Sequence, residues 1–314
     1  MAGGAPRQRT RLRRSVGADN VALGGEGQKF GSGYPKDSHT CSRHRTSKAE
    51  VTRPMPIMQR DILICGVQFD SELKSGAMSV LDLATIATKH GAQGVVYREV
   101  YWKDKAKELP EVRAQLDAMG LKRTYATFTT LFNRDPAKQK QLLQDLDDAH
   151  AIGAPLMRVF RGDPPGDIPD DRPILAATRA VIDRAAAYGM RLALENHIGA
   201  FGNHMSDVKG TIDRLNSPVL GANIDTSNYF INHQNPVDAV HLLAPWIIYT
   251  HLKDARDTAE GLKATYLGNG IIPIGAIVAA LDQTGRDFPF TFEFGGEGDP
   301  EGAIAKSMAY LKAL

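Results

Sequence analysis

From Asp61 onward the chain alternates between two hydrophobic rhythms: short runs of β-branched and other apolar residues, and longer stretches whose apolar positions recur three and four apart. The short runs "ILICGVQF", "GVVYREVY", "KRTYATF", "LMRVFRG", "RLALEN", "VLGANID", "IIYTHLKD" and "PFTFEF" predict eight strands. The stretches between and after them, such as "MSVLDLATIATKHG", "KQKQLLQDLDDAHAIG" and "ILAATRAVIDRAAAYG", predict helices, and their closing glycines suit left-handed C-caps. Strand followed by helix, repeated, predicts parallel strands joined by right-handed crossovers. Eight strands with eight helices favour a closed (β/α)8 TIM barrel over an open doubly wound sheet.

The 314 residues would allow two average domains, but a single barrel takes roughly 250 residues. The barrel is assigned to residues 59–314, preceded by a disordered basic extension, residues 1–58. That extension ("MAGGAPRQRTRLRRSVGADN" onward) is rich in Gly, Ser, Arg and Thr and has no apolar period. It carries eleven Lys and Arg against four Asp and Glu, a formal +7, so the rest of the chain holds −5 of the overall +2. The basic balance therefore belongs to the extension, and the acidic remainder argues against a nucleic-acid partner. We expect the folded protein to start near Met55 or Met58, with nucleic-acid binding or targeting as alternative roles for the extension. No apolar run approaches the ~20 residues of a membrane helix, and no secretory signal is evident, so a cytoplasmic location without membrane partners is expected. Cys41 and Cys65 make no disulfide framework; Cys65, in a strand, is read as a small buried hydrophobe.

In such barrels the working residues stand where strands end. Glu195 closes the fifth predicted strand, Asp225 the sixth, His251 the seventh and Glu293 the eighth. Three carboxylates converging at one mouth repel each other unless a cation holds them. One divalent metal resolves the conflict; the oxygen-rich set with a single histidine favours Mn²⁺, with Mg²⁺, Co²⁺ or Zn²⁺ as alternatives.

The segments "LALENH", "NIDTSN", "YTHLKDAR" and "FTFEFGGEGDP" resemble the metal-binding strands of the xylose isomerase-like sugar phosphate isomerase/epimerase superfamily, which includes tagatose and psicose 3-epimerases, hydroxypyruvate isomerase and inosose dehydratase. The resemblance implies that Glu195, Asp225, His251 and Glu293 bind one divalent metal, and that Glu195 and Glu293 exchange protons on opposite faces of a substrate. "THLKDAR", "GNGIIPIGAIVAAL" and "EFGGEGDP" are closest in pattern to the dehydratase branch. One departure stands out: the 3-epimerases carry a histidine three residues after the metal aspartate, where this chain has Asn228.

The chemistry implied is enediolate formation from a small keto-sugar or related polyol, making the protein an isomerase or epimerase. The alternative is a lyase using the same site, dehydrating an inosose or eliminating from a 3-keto-glycoside. An endonuclease reading, drawn from a relative with more metals and histidines, fits less well. His197, two residues beyond Glu195, is a candidate acid/base because it projects to the same side if the strand continues. Arg158, Asn228, Lys253, Arg256 and Glu99 are candidate substrate-binding residues, Glu99 with Tyr97, Tyr101 and Trp102 beside it as sugar-stacking aromatics. His204 is placed as an N-cap or site residue. "LGNGIIPIG" lacks the spacing of a dinucleotide fingerprint. A homo-oligomer is expected.

Overall fold

The computed structural model describes residues 60–162, 171–197, 202–296 and 298–314; the assignment of residues 1–58 lies outside the described residues. Among the described residues ten strands are formed: β1 Ile62–Cys65, β2 Gly94–Arg98, β3 Lys122–Phe132, β4 Leu156–Gly162, β5 Arg191–Glu195, β6 Leu220–Asp225, β7 Ile247–Leu252, β8 Asp254–Thr258, β9 Gly261–Thr265 and β10 Phe290–Phe292. Eight of them close a parallel barrel in the order β1-β10-β7-β6-β5-β4-β3-β2, as the repeating pattern predicts. Helices cross between successive strands, and Gly91, Gly153 and Gly189 sit at positive φ where the sequence calls for left-handed caps. Among the described residues, no helix is long and apolar enough to cross a membrane.

Strand alternation divides the side chains into two cores. Ile64, Val95, Tyr125, Met157, Leu192 and Leu194 face outward and pack under the helices. Leu63, Cys65, Val96, Ala126, Leu156, Ala193 and Tyr249 form a separate apolar cluster inside the barrel, which bears out the reading of Cys65. Continuing the same alternation by two residues takes the interior from apolar to charged: Val96 is followed by Arg98, Leu156 by Arg158, Ala193 by Glu195, Tyr249 by His251. Register then sets these residues side by side, with Phe160 against Glu195, Glu195 against Asn223 and Asp225 against His251.

The hairpin of β8 and β9 departs from the sequence reading. The predicted run "IIYTHLKD" stops pairing in the barrel at Leu252, and the chain then folds out into an antiparallel ribbon. Asp254 anchors that exit. Its buried carboxylate accepts backbone N–H groups from Ala255, Gly268, Gly270 and Ile272, so "LGNGIIPIG" wraps around one side chain. A Cβ at Gly270 would collide with Ala255 O and Asp254 Oδ1, whereas one at Gly210, within a helix, meets nothing. Gly270→Ala is therefore expected to lower stability by about 2 kcal/mol in thermal unfolding, while Gly210→Ala is neutral or stabilising. Equal behaviour of the two would contradict the clamp.

Candidate metal centre

Glu195, Asp225, His251 and Glu293 come together at the C-terminal mouth, all buried, with one ligand atom from each lying within 4.8 Å of the others. Each carboxylate divides its two oxygens between two tasks. Asp225 caps the helix Thr226–Ile231, its Oδ1 accepting from Asn228 N at 2.8 Å, and turns Oδ2 to within 3.4 Å of His251 Nδ1. Glu195 Oε1 accepts from Asn228 Nδ2 at 3.1 Å, while Oε2 lies 3.4 Å from the same imidazole nitrogen. Glu293 Oε2 is 3.2 Å from Nδ1, and its Oε1 faces Arg158 Nη2 at 3.6 Å.

These separations fit a shared divalent ion. Ligands held at about 2.0–2.2 Å from one cation lie roughly 3.0–3.5 Å apart at octahedral or tetrahedral angles. Arg158 Nε is 2.8 Å from Glu195 Oε2 and Lys253 Nζ is 2.7 Å from Asp225 Oδ2. Neither contact has hydrogen-bond geometry, so both buried oxygens are held by ion pairing alone, with their hydrogen-bonding capacity unused. Such atoms are costly to bury unless a cation takes them.

The surrounding charges shape each group. Burial works against ionising Glu195, but Arg158 and His251 prevail and hold its carboxyl down to about 2. At Glu293 burial is likewise outweighed, by His251 and Lys253, and the carboxyl stays well below the usual range. At Asp225 burial wins over Lys253 and His251, and the carboxyl is raised. Burial disfavours charge on His251 and Lys253, yet the facing carboxylates push both upward.

A cavity of about 240 Å³ opens above the cluster, walled by Phe128, Phe160 and Phe294 and reached by Arg98, Arg158, His197, Asn228 and Lys253. A larger cavity, about 540 Å³, lies at the opposite mouth among Leu63, Leu156, Ile248 and Phe288, away from the carboxylates. His197 stands on the wall of the upper cavity, edge-on to Phe160 with ring centroids 4.6 Å apart. His204 occupies the N-cap position of the helix Met205–Leu215 without a side-chain capping bond. Lys253 is buried within the cluster, bridging Asp225 and Glu293.

Several sequence assignments change. Arg158 lines the cavity but is fully buried and engaged with Glu195, Glu293 and Thr127 O (2.7 Å), so it positions carboxylates. Asn228 lines the cavity as well, and spends both N–H donors on Glu195 Oε1 and Asn196 O, which orients Glu195. Arg256 does not reach the cavity, because the chain has already left the barrel and carries it outward, exposed, on β8. Glu99 lies one residue beyond β2 and outside the cavity lining; its Oε1 accepts Phe128 N at 2.6 Å and so supports the strand that bears Phe128. Tyr97, Tyr101 and Trp102 face the helix layer, Tyr101 bonded to Asp70 and Trp102 to Tyr125. The cavity aromatics are the three phenylalanines, which the sequence reading missed along with Arg98.

Comparison with known proteins agrees with the barrel fold. The profile of the xylose isomerase-like TIM barrel family matches residues 84–314. Similar solved structures include a D-allulose 3-epimerase from Methylomonas sp. in complex with D-allulose, at 17% identity and a TM-score of 0.64, covering 83% of this chain and 99% of that one. The 3-keto-D-glucoside 4-epimerase YcjR from E. coli is similar at 17% identity and 0.64, covering 82% and 100%. The IOLI protein with a bound zinc atom is similar at 18% identity and 0.63, covering 80% and 96%. The search of curated proteins found no match. The two epimerases among these structural neighbours are enzymes, and the chain belongs to the xylose isomerase-like TIM barrel family.

Proposed function

We propose that the protein is a divalent-metal-dependent isomerase or epimerase of a keto-sugar or related polyol, working through an enediolate. The observation that carries the reading is the turning of one oxygen from each of Glu195, Asp225 and Glu293 toward His251 Nδ1. Bound among those four atoms, a metal ion, with Mn²⁺ the favoured identity, would polarise a substrate carbonyl as a Lewis acid. Glu195 and Glu293 stand on β5 and just beyond β10, with two strands, β6 and β7, between them around the barrel, and so flank a molecule in the cavity. In this reading one takes the proton alpha to the carbonyl and the other returns it. Arg158 and Asn228 hold Glu195 in place, and the phenylalanine walls exclude water and pack on sugar C–H faces. The sugar 3- and 4-epimerases among the structural neighbours support this chemistry.

One observation favours elimination as the second reading: the His197 imidazole on the cavity wall can protonate a departing β-hydroxyl. Incubation of the Mn²⁺-loaded full chain with a panel of keto-sugars and inososes in D₂O separates the outcomes. Isomerase or epimerase chemistry puts solvent deuterium into recovered sugar with no enone absorbance, whereas an enone signal identifies the lyase. Absence of both, with metal bound, would defeat the proposal. If elimination is the reaction, His197→Gln is expected to lower kcat about 100-fold without changing metal stoichiometry; an unchanged kcat would remove His197 from the chemistry.

A further inference from the structure

Three arginines among the described residues are nearly or fully buried, and each has one nitrogen without a hydrogen-bond acceptor, Arg60 Nη2, Arg98 Nε and Arg158 Nε, but two of the three keep other partners within 3.0 Å. Arg60 donates from Nε to Asp282 at 3.0 Å and from Nη1 to Arg286 O at 2.9 Å; Arg158 has Thr127 O and Glu195. Arg98 differs. At 5% exposure it ends β2 inside the cavity lining, it makes no side-chain hydrogen bond among the described residues, and its ion contact, Nη1 to Glu293 Oε1, is 4.0 Å long. The Phe128 ring, 4.4 Å from Cζ, covers one face of the guanidinium and leaves its edge for a partner in the cavity. A buried guanidinium without acceptors is unfavourable, and its planar fork matches a carboxylate.

Charge points the same way. Glu195, Asp225 and Glu293 supply three negative charges, and Arg98, Arg158 and Lys253 supply three positive ones. A divalent ion therefore leaves the site two charges positive. A neutral sugar offsets neither until its proton leaves; a sugar acid offsets one on binding and the second as the enediolate forms.

We propose that Arg98 receives a carboxylate carried by the substrate, so that the site acts on keto-sugar acids rather than neutral keto-sugars; this rests on the metal-dependent reading above. Carboxylate is favoured over phosphate because the neighbouring cations, Arg158 and Lys253, are already engaged by protein carboxylates.

The test uses two matched pairs that differ only in a CH₂OH replaced by COO⁻: D-fructose with 2-keto-D-gluconate, and L-sorbose with 5-keto-D-gluconate. Calorimetric titration into the Mn²⁺-loaded full chain is expected to show at least one acid binding tenfold or more tighter than its partner, and tighter than D-fructose 1-phosphate. Arg98→Gln should reduce that preference to within threefold, and Arg98→Lys should keep part of it, both with one Mn²⁺ per chain. Acids binding no tighter than their partners in the wild type, a tighter fructose 1-phosphate, or a preference that survives Arg98→Gln would each overturn the assignment. Failure of the wild type to bind Mn²⁺ would instead defeat the metal-dependent reading itself.

Discussion

Glu293→Gln is expected to strip the protein of metal and of turnover while leaving the barrel folded. The substitution keeps the shape of the side chain and removes one negative charge from a position 3.2 Å from His251 Nδ1. Loss of a mere supporting partner costs roughly 10–100-fold in metal affinity, and loss of a ligand oxygen should exceed that. The neutral amide also leaves Lys253, now 2.9 Å from Glu293 Oε2, with Asp225 as its remaining close partner, drawing the ammonium further onto an oxygen the metal needs. Turnover is expected to fall by about 1000-fold or more, since both the ion and a proton-transfer group are lost. Metal analysis after gel filtration, together with far-ultraviolet circular dichroism, checks this. A folded variant with full metal content would contradict the ligand role.

Arg158→Met is expected to have the largest effect on stability. Its guanidinium is 1% exposed, touches two of the carboxylates and stacks 4.2 Å over Phe160. Removing one partner of a buried ion pair strands the other and costs about 3–5 kcal/mol. In a chain of this size that corresponds to a melting temperature lower by roughly 10 °C in chelator-treated protein. Mn²⁺ should restore part of the loss, because a cation again neutralises Glu195. The pH dependence follows from the depressed Glu195 carboxyl. Its stabilisation is complete above the ordinary 4.5 and is lost as pH falls toward about 2, so the deficit of the variant should shrink across that window. A variant as stable as wild type at neutral pH would show that Arg158 is dispensable to the cluster.

What could be read in the sequence follows the period of two. Because inward residues recur on each strand, Glu195, Asp225, His251 and Glu293 were all recognisable as strand-end groups facing one mouth. The same period would have separated Arg98 from Glu99: Arg98 shares the parity of the interior Val96, while Glu99 lies just past the strand. Phe128 obeys the rule as well: it shares the parity of the interior Ala126 and lines the cavity, although the β3–β4 register shifts between Ala126 and Thr130. Arg256 was misplaced for a different reason. The ribbon strands "DARDT" and "GLKAT" are short and polar, with too little apolar alternation to announce a departure from the barrel. The turning of Arg158 and Asn228 onto Glu195 is a matter of side-chain contact and left no trace in pattern.

In the proposed centre, four strand-end residues hold one divalent ion through His251 Nδ1 and three carboxylate oxygens. Titration of the full chain with Mn²⁺, followed by pulsed electron paramagnetic resonance, tests it most directly. Saturation is expected at one ion per chain, with a nitrogen hyperfine coupling that disappears in His251→Gln. A wild type with no saturable site, or a nitrogen coupling that persists in His251→Gln, would contradict it.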